Sequence, residues 1–207
     1  MHEIEFISTE AGLREVYNTA SGRALEKELH RLDKHARNFI ANSPFMFVAS
    51  QDRDGNADLS PKGDNPGFVS VLDDNTIAIP DRPGNNRLDT LENVLANPAV
   101  GLLFVIPGMN ETLRVNGKAR ITADETLCEK FAVDGRPAVS VMVVQVESAY
   151  MHCAKAFMRS KLWQNESWPP RDCMPTLGQI LKDQMADGAD AAETDRELEL
   201  AYAKTMW

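Results

Sequence analysis

The residues whose types and spacing could do chemistry are concentrated between positions 57 and 121. Ser60-Pro61-Lys62 closes one short polar segment, and Asp81-Arg82-Pro83-Gly84-Asn85-Asn86-Arg87 runs into a helical pattern. Lys62, Arg82 and Arg87 supply cations, and Asn85 and Asn86 supply amide donors, beside the free backbone N–H groups of a helix start. That combination suits a phosphate monoester. Arginine offers a planar fork, lysine a point charge, and a helix start several aligned donors. Each charge-assisted hydrogen bond to such a group contributes about 1.5–3 kcal/mol. The same residues support a second reading, as surface charges on hairpin ends paired with Asp64, Asp81 and Asp89.

Thr112, Arg114, Asn116, Lys118 and Arg120 alternate along one strand face. Lys118 and Arg120 read as solvated, whereas Thr112 and Arg114, near the strand start, could reach a ligand across an interface. Lys155, Arg159 and Lys161 cluster on a helical stretch, as a solvated face or as further anion contacts. His2, His30, His35 and His152 are scattered, so no metal set is expected. Cys153 has no evident partner base, and no catalytic acid or base is identified. The patterns GxGxxG, GxxxxGK[ST], HExxH and GxSxG do not occur, which disfavours the Rossmann and P-loop routes to a phosphate.

The elements that must position these groups follow from periodicity. Residues 10–42 read as helical, with Leu25, Leu29, Leu32, Ala36, Phe39 and Ile40 on one apolar face, until Pro44 stops the pattern. Strands are expected over 45–50 and 57–61 around the turn Asp52–Asn56, and over 68–72 and 76–80 around Asp73-Asp74-Asn75. A helix over 85–95 ends at Asn97-Pro98, and the apolar run 99–106 reads as a strand buried on both faces. Leu113, Val115, Gly117, Ala119 and Ile121 form the inner face of a strand over 112–121, before a helix over 124–131 and a strand over 139–146.

Six or seven short strands joined by tight turns predict a mainly β antiparallel barrel rather than a parallel sheet. Beyond it come a helix over 153–162, a rigid Trp168-Pro169-Pro170 linker, and a helix with Leu177, Ile180, Leu181 and Met185 on its apolar face. An acidic stretch over 187–199 reads as a solvated helix face. The chain is expected to be one domain: a helical segment at 1–43, a barrel core at 44–152, and a helical extension at 153–207 that packs on the barrel or on a partner subunit.

The 207 residues suffice for one good core, and a net charge of -9 argues against nucleic acid or an acidic membrane surface as partner. Cys128, Cys153 and Cys173 show no CxxC spacing, so a reducing compartment is expected. The opening MHEIEFISTE lacks a signal-peptide pattern and no apolar run reaches membrane-span length, so the expectation is a cytoplasmic protein.

The series SPKGD, PGFV, IAIPDRPGNNRLDTL, NPAVGLLF, ETLRVNGKA and HCAKAFMRSKLW resembles the pyridoxamine 5'-phosphate oxidase-like, FMN-binding split-barrel family, in a bacterial branch of about this length, over roughly residues 35–165. The resemblance implies a six-stranded antiparallel split barrel with N-terminal helices and a helical C-terminal extension. It implies a homodimer with FMN at the subunit interface. Ser60 and Lys62, and the loop from Asp81 through Arg82 and Asn86 to Arg87, would hold the flavin phosphate and ribityl chain. Thr112 would reach the flavin ring from the opposing subunit, and Lys155 and Arg159 would lie over the ligand. Arg114 or Lys155 near the ring would favour the anionic reduced flavin.

The activity so implied is an FMN-dependent oxidoreductase, with a small-molecule substrate or NAD(P)H as partner. The end ELAYAKTMW lacks the Arg-rich motif that true pyridoxamine-phosphate oxidases use for substrate phosphate, so another substrate is expected. The alternatives are a non-catalytic module binding or storing flavin, deazaflavin or haem, and an interaction protein with no cofactor.

Overall fold

In the computed structural model, which describes residues 4–20, 22–185 and 188–206, seven strands form one antiparallel sheet flanked by short helices. The helices α1 (Glu10–Val16), α2 (Arg23–Glu26) and α3 (Lys34–Asn42) precede strands β1 (Phe45–Gln51), β2 (Ala57–Gly63), β3 (Ser70–Val71) and β4 (Thr76–Asp81). Helix α4 (Asp89–Ala96), strands β5 (Ala99–Val105) and β6 (Thr112–Thr122), helix α5 (Glu125–Glu129) and strand β7 (Ser140–His152) follow. Helices α6 (Lys155–Ser160), α7 (Leu177–Met185) and α8 (Ala191–Thr205) complete the order. The strands run β2-β1-β5-β6-β7-β4-β3 across the sheet, and each neighbouring pair is antiparallel.

The inner face gathers one apolar core. Met46 and Val48 of β1, Leu102 and Phe104 of β5, Leu113 and Val115 of β6, Ile77 and Ile79 of β4, and Val144 of β7 are fully buried there. Helix α3 closes one side with Ala36, Phe39 and Ile40, and α4 adds Val94. Alternation explains this, because residues two apart share a face. Strand β4 is buried on both faces, with Ala78 in a second, smaller apolar cluster with Cys128, Ala138 and Val141.

Several expectations are corrected. The six-stranded barrel is a seven-stranded open sheet. Seven is the upper count that periodicity gives, and six is the count the resemblance implies; β3, with two residues, is all that remains of the arm expected over 68–72. Gly67 (φ +83°) turns the chain tightly under α3, where an added Cβ would lie 3.0 Å from the Ala41 carbonyl oxygen, and pairing starts only at Ser70. The continuous helix over 10–42 is three pieces. Asp33 caps a fresh helix by accepting hydrogen bonds from the N–H groups of His35 and Ala36, and the residues before it are held otherwise. Leu29 exchanges backbone hydrogen bonds with Ala149, and both Leu25 and Leu29 are exposed while Leu32, Phe39 and Ile40 are buried.

Strand β5 is not buried on both faces. Val100, Leu102 and Phe104 point inward, while on the other face Ala99 is exposed, Gly101 and Leu103 are partly exposed, and Val105 is buried. Strand β7 runs to His152, well beyond the expected 146, because a bulge at Asn116/Gly117 keeps it paired with β6. A Cβ on Gly117 would lie 2.2 Å from the Gln145 carbonyl oxygen, so only glycine fits there. Helix α4 begins at Asp89 rather than 85, since Asn86 holds a left-handed φ of 60°. Lys161, the third member of the expected basic cluster, is also left-handed and caps α6 after Ser160.

Helices α7 and α8 pack on each other. Gly178 permits the approach, since a Cβ there would lie 2.3 Å from the Ala191 carbonyl oxygen. The Gly178 N–H donates to Asp195 Oδ1 at 2.7 Å. Leu177 and Met185, two of the four residues of the expected apolar face, are exposed. Asp187 of the acidic stretch and His2 lie outside the described residues. A hydrogen bond with the Thr176 side chain, then the Gly178 N–H, hold the Asp195 carboxyl below its ordinary value of 3.8. A depressed folded pKa gives stability that is present above the ordinary value and lost as pH falls through the lowered one. Acidification below pH 3.8 is therefore expected to release amide protection in residues 177–185 before the sheet, and Asp195→Asn to abolish that pH dependence in exchange measurements. An unchanged acid transition in the variant would assign it to another group.

Candidate functional site

Ser60, Lys62, Asp81, Arg82, Asn86 and Arg87 line one cavity of about 410 Å³. Its floor comes from strand ends. Alternation puts Asp58, Ser60 and Lys62 on one face of β2, and register pairs Asp81 at the end of β4 with Ser140 at the start of β7. Its wall is the loop 83–88 and the first turn of α4, with Thr90 and Leu91. A buried polar cluster docks that turn. Thr90 Oγ1 and Ser50 Oγ donate to Asp58 Oδ2 at 2.9 and 3.3 Å, and Asn93 Nδ2 donates to Ser50 Oγ at 3.1 Å. Sequence reasoning missed these four. The available signal was an aspartate inside a strand, where that residue is disfavoured, together with Thr90 and Asn93 one turn apart on α4.

Every cation in the cavity lining holds a carboxylate. Lys62 Nζ lies 2.7 Å from Asp81 Oδ1, both half-buried. Arg82 donates through Nε and Nη2 to Asp64 Oδ2, at 3.1 and 2.9 Å, and through Nη1 to the Phe131 carbonyl at 2.6 Å. Arg87 Nε lies 2.5 Å from Asp89 Oδ2, with its side chain 77% exposed. That carboxylate raises the Arg87 pKa above its ordinary value. All the pairings of the surface-charge reading are therefore present, and each takes its cation from the lining of the anion reading's cavity. The three cations and three carboxylates balance, so one chain alone offers a phosphate no net positive charge. Asn85 Oδ1 accepts from the Arg87 N–H at 2.9 Å and shapes the loop, and Leu88 gives α4 no side-chain cap.

Thr112, Arg114, Lys155 and Arg159 are not brought to this cavity. Thr112 is buried and pairs with His152 at the far end of β7, while the cavity holds Ser140 at its start. Along a strand at roughly 3.4 Å per residue that is on the order of 40 Å. Arg114 donates to Tyr150 Oη at 3.0 Å and lies over the Tyr150 ring, 5.6 Å from its centroid. Lys155 and Arg159 are exposed on α6. Trp163 pins that segment to the β5–β6 turn by donating to the Met109 carbonyl at 2.7 Å, with its ring stacked on Phe157.

The outer sheet face carries Phe45 and Phe47, edge to face at 5.0 Å, beside Pro61, Leu103 and Leu59, which is 63% exposed. Among the described residues no cluster of His, Cys, Asp or Glu is arranged to hold a metal, and no helix is long and apolar enough to cross a membrane. Cys128 is buried, and Cys153 and Cys173 are exposed free thiols.

The sequence profile described as pyridoxamine 5'-phosphate oxidase matches residues 32–153, a span that contains the whole cavity lining. No curated protein matches. Among solved structures, HupZ of group A Streptococcus is 22% identical, covering 57% of this chain and 92% of its own at a TM-score of 0.47. An FMN-binding protein from Syntrophomonas wolfei is 12% identical, covering 57% of this chain and 84% of its own at 0.47. General stress protein 26 of Bacillus anthracis is 15% identical, covering 55% and 88% at 0.43.

Proposed function

This chain belongs to the pyridoxamine 5'-phosphate oxidase family, and from that premise we propose that it is an FMN-dependent oxidoreductase acting as a homodimer. The observation that carries the reading is the convergence of Ser60, Lys62, Asn85, Asn86, Arg87 and Ser140 on one cavity inside the family's matched span. The donor set fits a flavin monophosphate. Arg87 is exposed enough to turn from Asp89 to a phosphate, Lys62 adds a second cation, and hydroxyl and amide groups suit a polyol chain. When bound, FMN supplies two-electron chemistry, taking a hydride or electrons from a donor such as NAD(P)H and passing them to oxygen or another acceptor.

Two features support the homodimer. The outer face with Phe47, Leu59 and Leu103 is an apolar surface of the kind that association covers. A twofold-related copy could also bring Thr112, Arg114, Lys155 and Arg159 to its mate's cavity, supplying the positive charge that one chain lacks. In that arrangement Arg114 and Lys155 would stabilise negative charge on a reduced ligand.

A cofactor-free reading is favoured by one observation: Lys62, Arg82 and Arg87 already hold carboxylates. Titrating the protein with FMN separates the two. Saturable binding at one FMN per chain in a particle of dimer mass is expected, and no binding would overturn the reading. Anaerobic bleaching of the bound flavin by NAD(P)H is expected of the enzyme. A flavin that no physiological donor reduces would instead indicate a storage or binding module.

A further inference from the structure

Arg82 occupies the position at which the family resemblance implies a phosphate contact, but both edges of its guanidinium are already engaged. One edge grips Asp64 through Nε and Nη2, and the other reaches the Phe131 carbonyl through Nη1. This pair is the most deeply buried of the cavity's ion pairs, at 14% exposure for Arg82 and 4% for Asp64. Turning Arg82 toward a ligand would leave a buried carboxylate without its cation and a carbonyl without its donor, a far costlier change than swinging the exposed Arg87.

The partners are themselves anchored. The Asp64 N–H donates to the Pro44 carbonyl at 3.1 Å, and the Phe131 N–H to the Cys128 carbonyl at 3.1 Å, so Arg82 ties the end of β4 to two fixed points. On the other side of the loop, Thr90 and Asp58 hold the first turn of α4. Between these anchors, among the described residues, Pro83–Asn86 make no hydrogen bond outside the loop, and Asn86 holds a left-handed backbone. The shape of the segment that carries Asn85, Asn86 and Arg87 is therefore set at its two ends.

We propose that Asp64 and Arg82 are positioning residues: a brace that fixes the loop 83–88 and thereby its grip on a phosphate monoester, without either side chain touching the ligand. This inference rests on the FMN reading of the cavity. It opposes a direct role for Arg82 and gives Asp64 a function opposite to that of Asp81 and Asp89, which compete with a ligand for their cations.

The test compares FMN with riboflavin, which lacks the phosphate, by fluorescence titration of flavin-free wild type, Asp64→Asn, Arg82→Lys and the double variant, with melting temperature recorded for each. A general loss of stability lowers melting temperature without changing the ratio of the two affinities. The brace predicts that Asp64→Asn weakens FMN binding by about tenfold with riboflavin binding unchanged, and that the double variant is no worse than the single ones. Direct contact predicts the opposite sign, because removing Asp64's charge would free Arg82 and tighten FMN. Tighter or unchanged FMN binding in Asp64→Asn overturns the proposal. Should Asp64→Asn not fold, Arg82→Lys decides: a lysine keeps the charge for a direct contact but cannot keep the fork and the Phe131 bond, so retained FMN affinity overturns the brace. If the wild type takes up no FMN, the parent reading has failed and the brace falls with it. If the wild type binds and the variants bind equally well, the brace alone falls.

Discussion

Replacing Phe104 with alanine is expected to destabilise the protein by about 3–5 kcal/mol, the usual cost of deleting a buried aromatic side chain. Phe104 is 0% exposed and sits on β5, with Met46 of β1 opposite it on one side and Leu113 of β6 on the other. The cavity left by the ring would open in the middle of the sheet, where β1 and β6 are held by their own pairings and cannot close in. A domain of ordinary stability has only about 5–15 kcal/mol in total, so the variant should lose roughly a fifth or more of its margin. Urea unfolding at equilibrium measures it, with a lower midpoint and an unchanged slope expected. Phe104→Leu should lose markedly less. A loss below about 1.5 kcal/mol for the alanine variant would mean that the core packs differently.

Arg87→Ala is expected to act on the ligand and not on the fold. Its side chain is largely in solvent and its pair with Asp89 is exposed, so folding depends little on it. It is also the cation in the cavity lining that can move most freely to a phosphate. Its removal should weaken FMN binding by roughly tenfold to a hundredfold, while riboflavin binding and the urea midpoint stay unchanged. Asp89→Asn, which frees Arg87 from its competitor, should tighten FMN, opposite in sign to Asp64→Asn. Unchanged flavin retention in Arg87→Ala would remove this residue from the site.

What the sequence made legible follows from how local each feature is. The loop 81–87 and the Ser60–Lys62 segment could be nominated because each is a short run of charged and amide side chains. They meet through pairs between strands far apart in the sheet order, Lys62 with Asp81 and Arg82 with Asp64, and only Asp89 lies within a few residues of its cation. Strand β6 was readable from its clean alternation, and its Gly117 proved to be the point where β7 approaches too closely for any side chain. The docking cluster of Asp58, Thr90, Ser50 and Asn93 was not readable, because it joins β1, β2 and α4 across long sequence separations.

Strand β5 misled for a different reason. An unbroken apolar run carries no period, so it cannot say which face the core takes or whether the other is covered. The helical pattern over 10–42 failed at Asp33, whose capping role overrode a continuous apolar spacing. Whether Thr112, Arg114, Lys155 and Arg159 complete the site is a question about a second copy, which neither periodicity nor one chain's geometry contains.

The most direct test is the visible absorption spectrum of the purified protein, with the ligand released by denaturation identified by mass. A flavin spectrum and the mass of FMN, at one per chain, are the predicted result. A colourless protein that also takes up no added FMN would contradict the account, leaving a member of the family whose cavity cations serve only their own carboxylates.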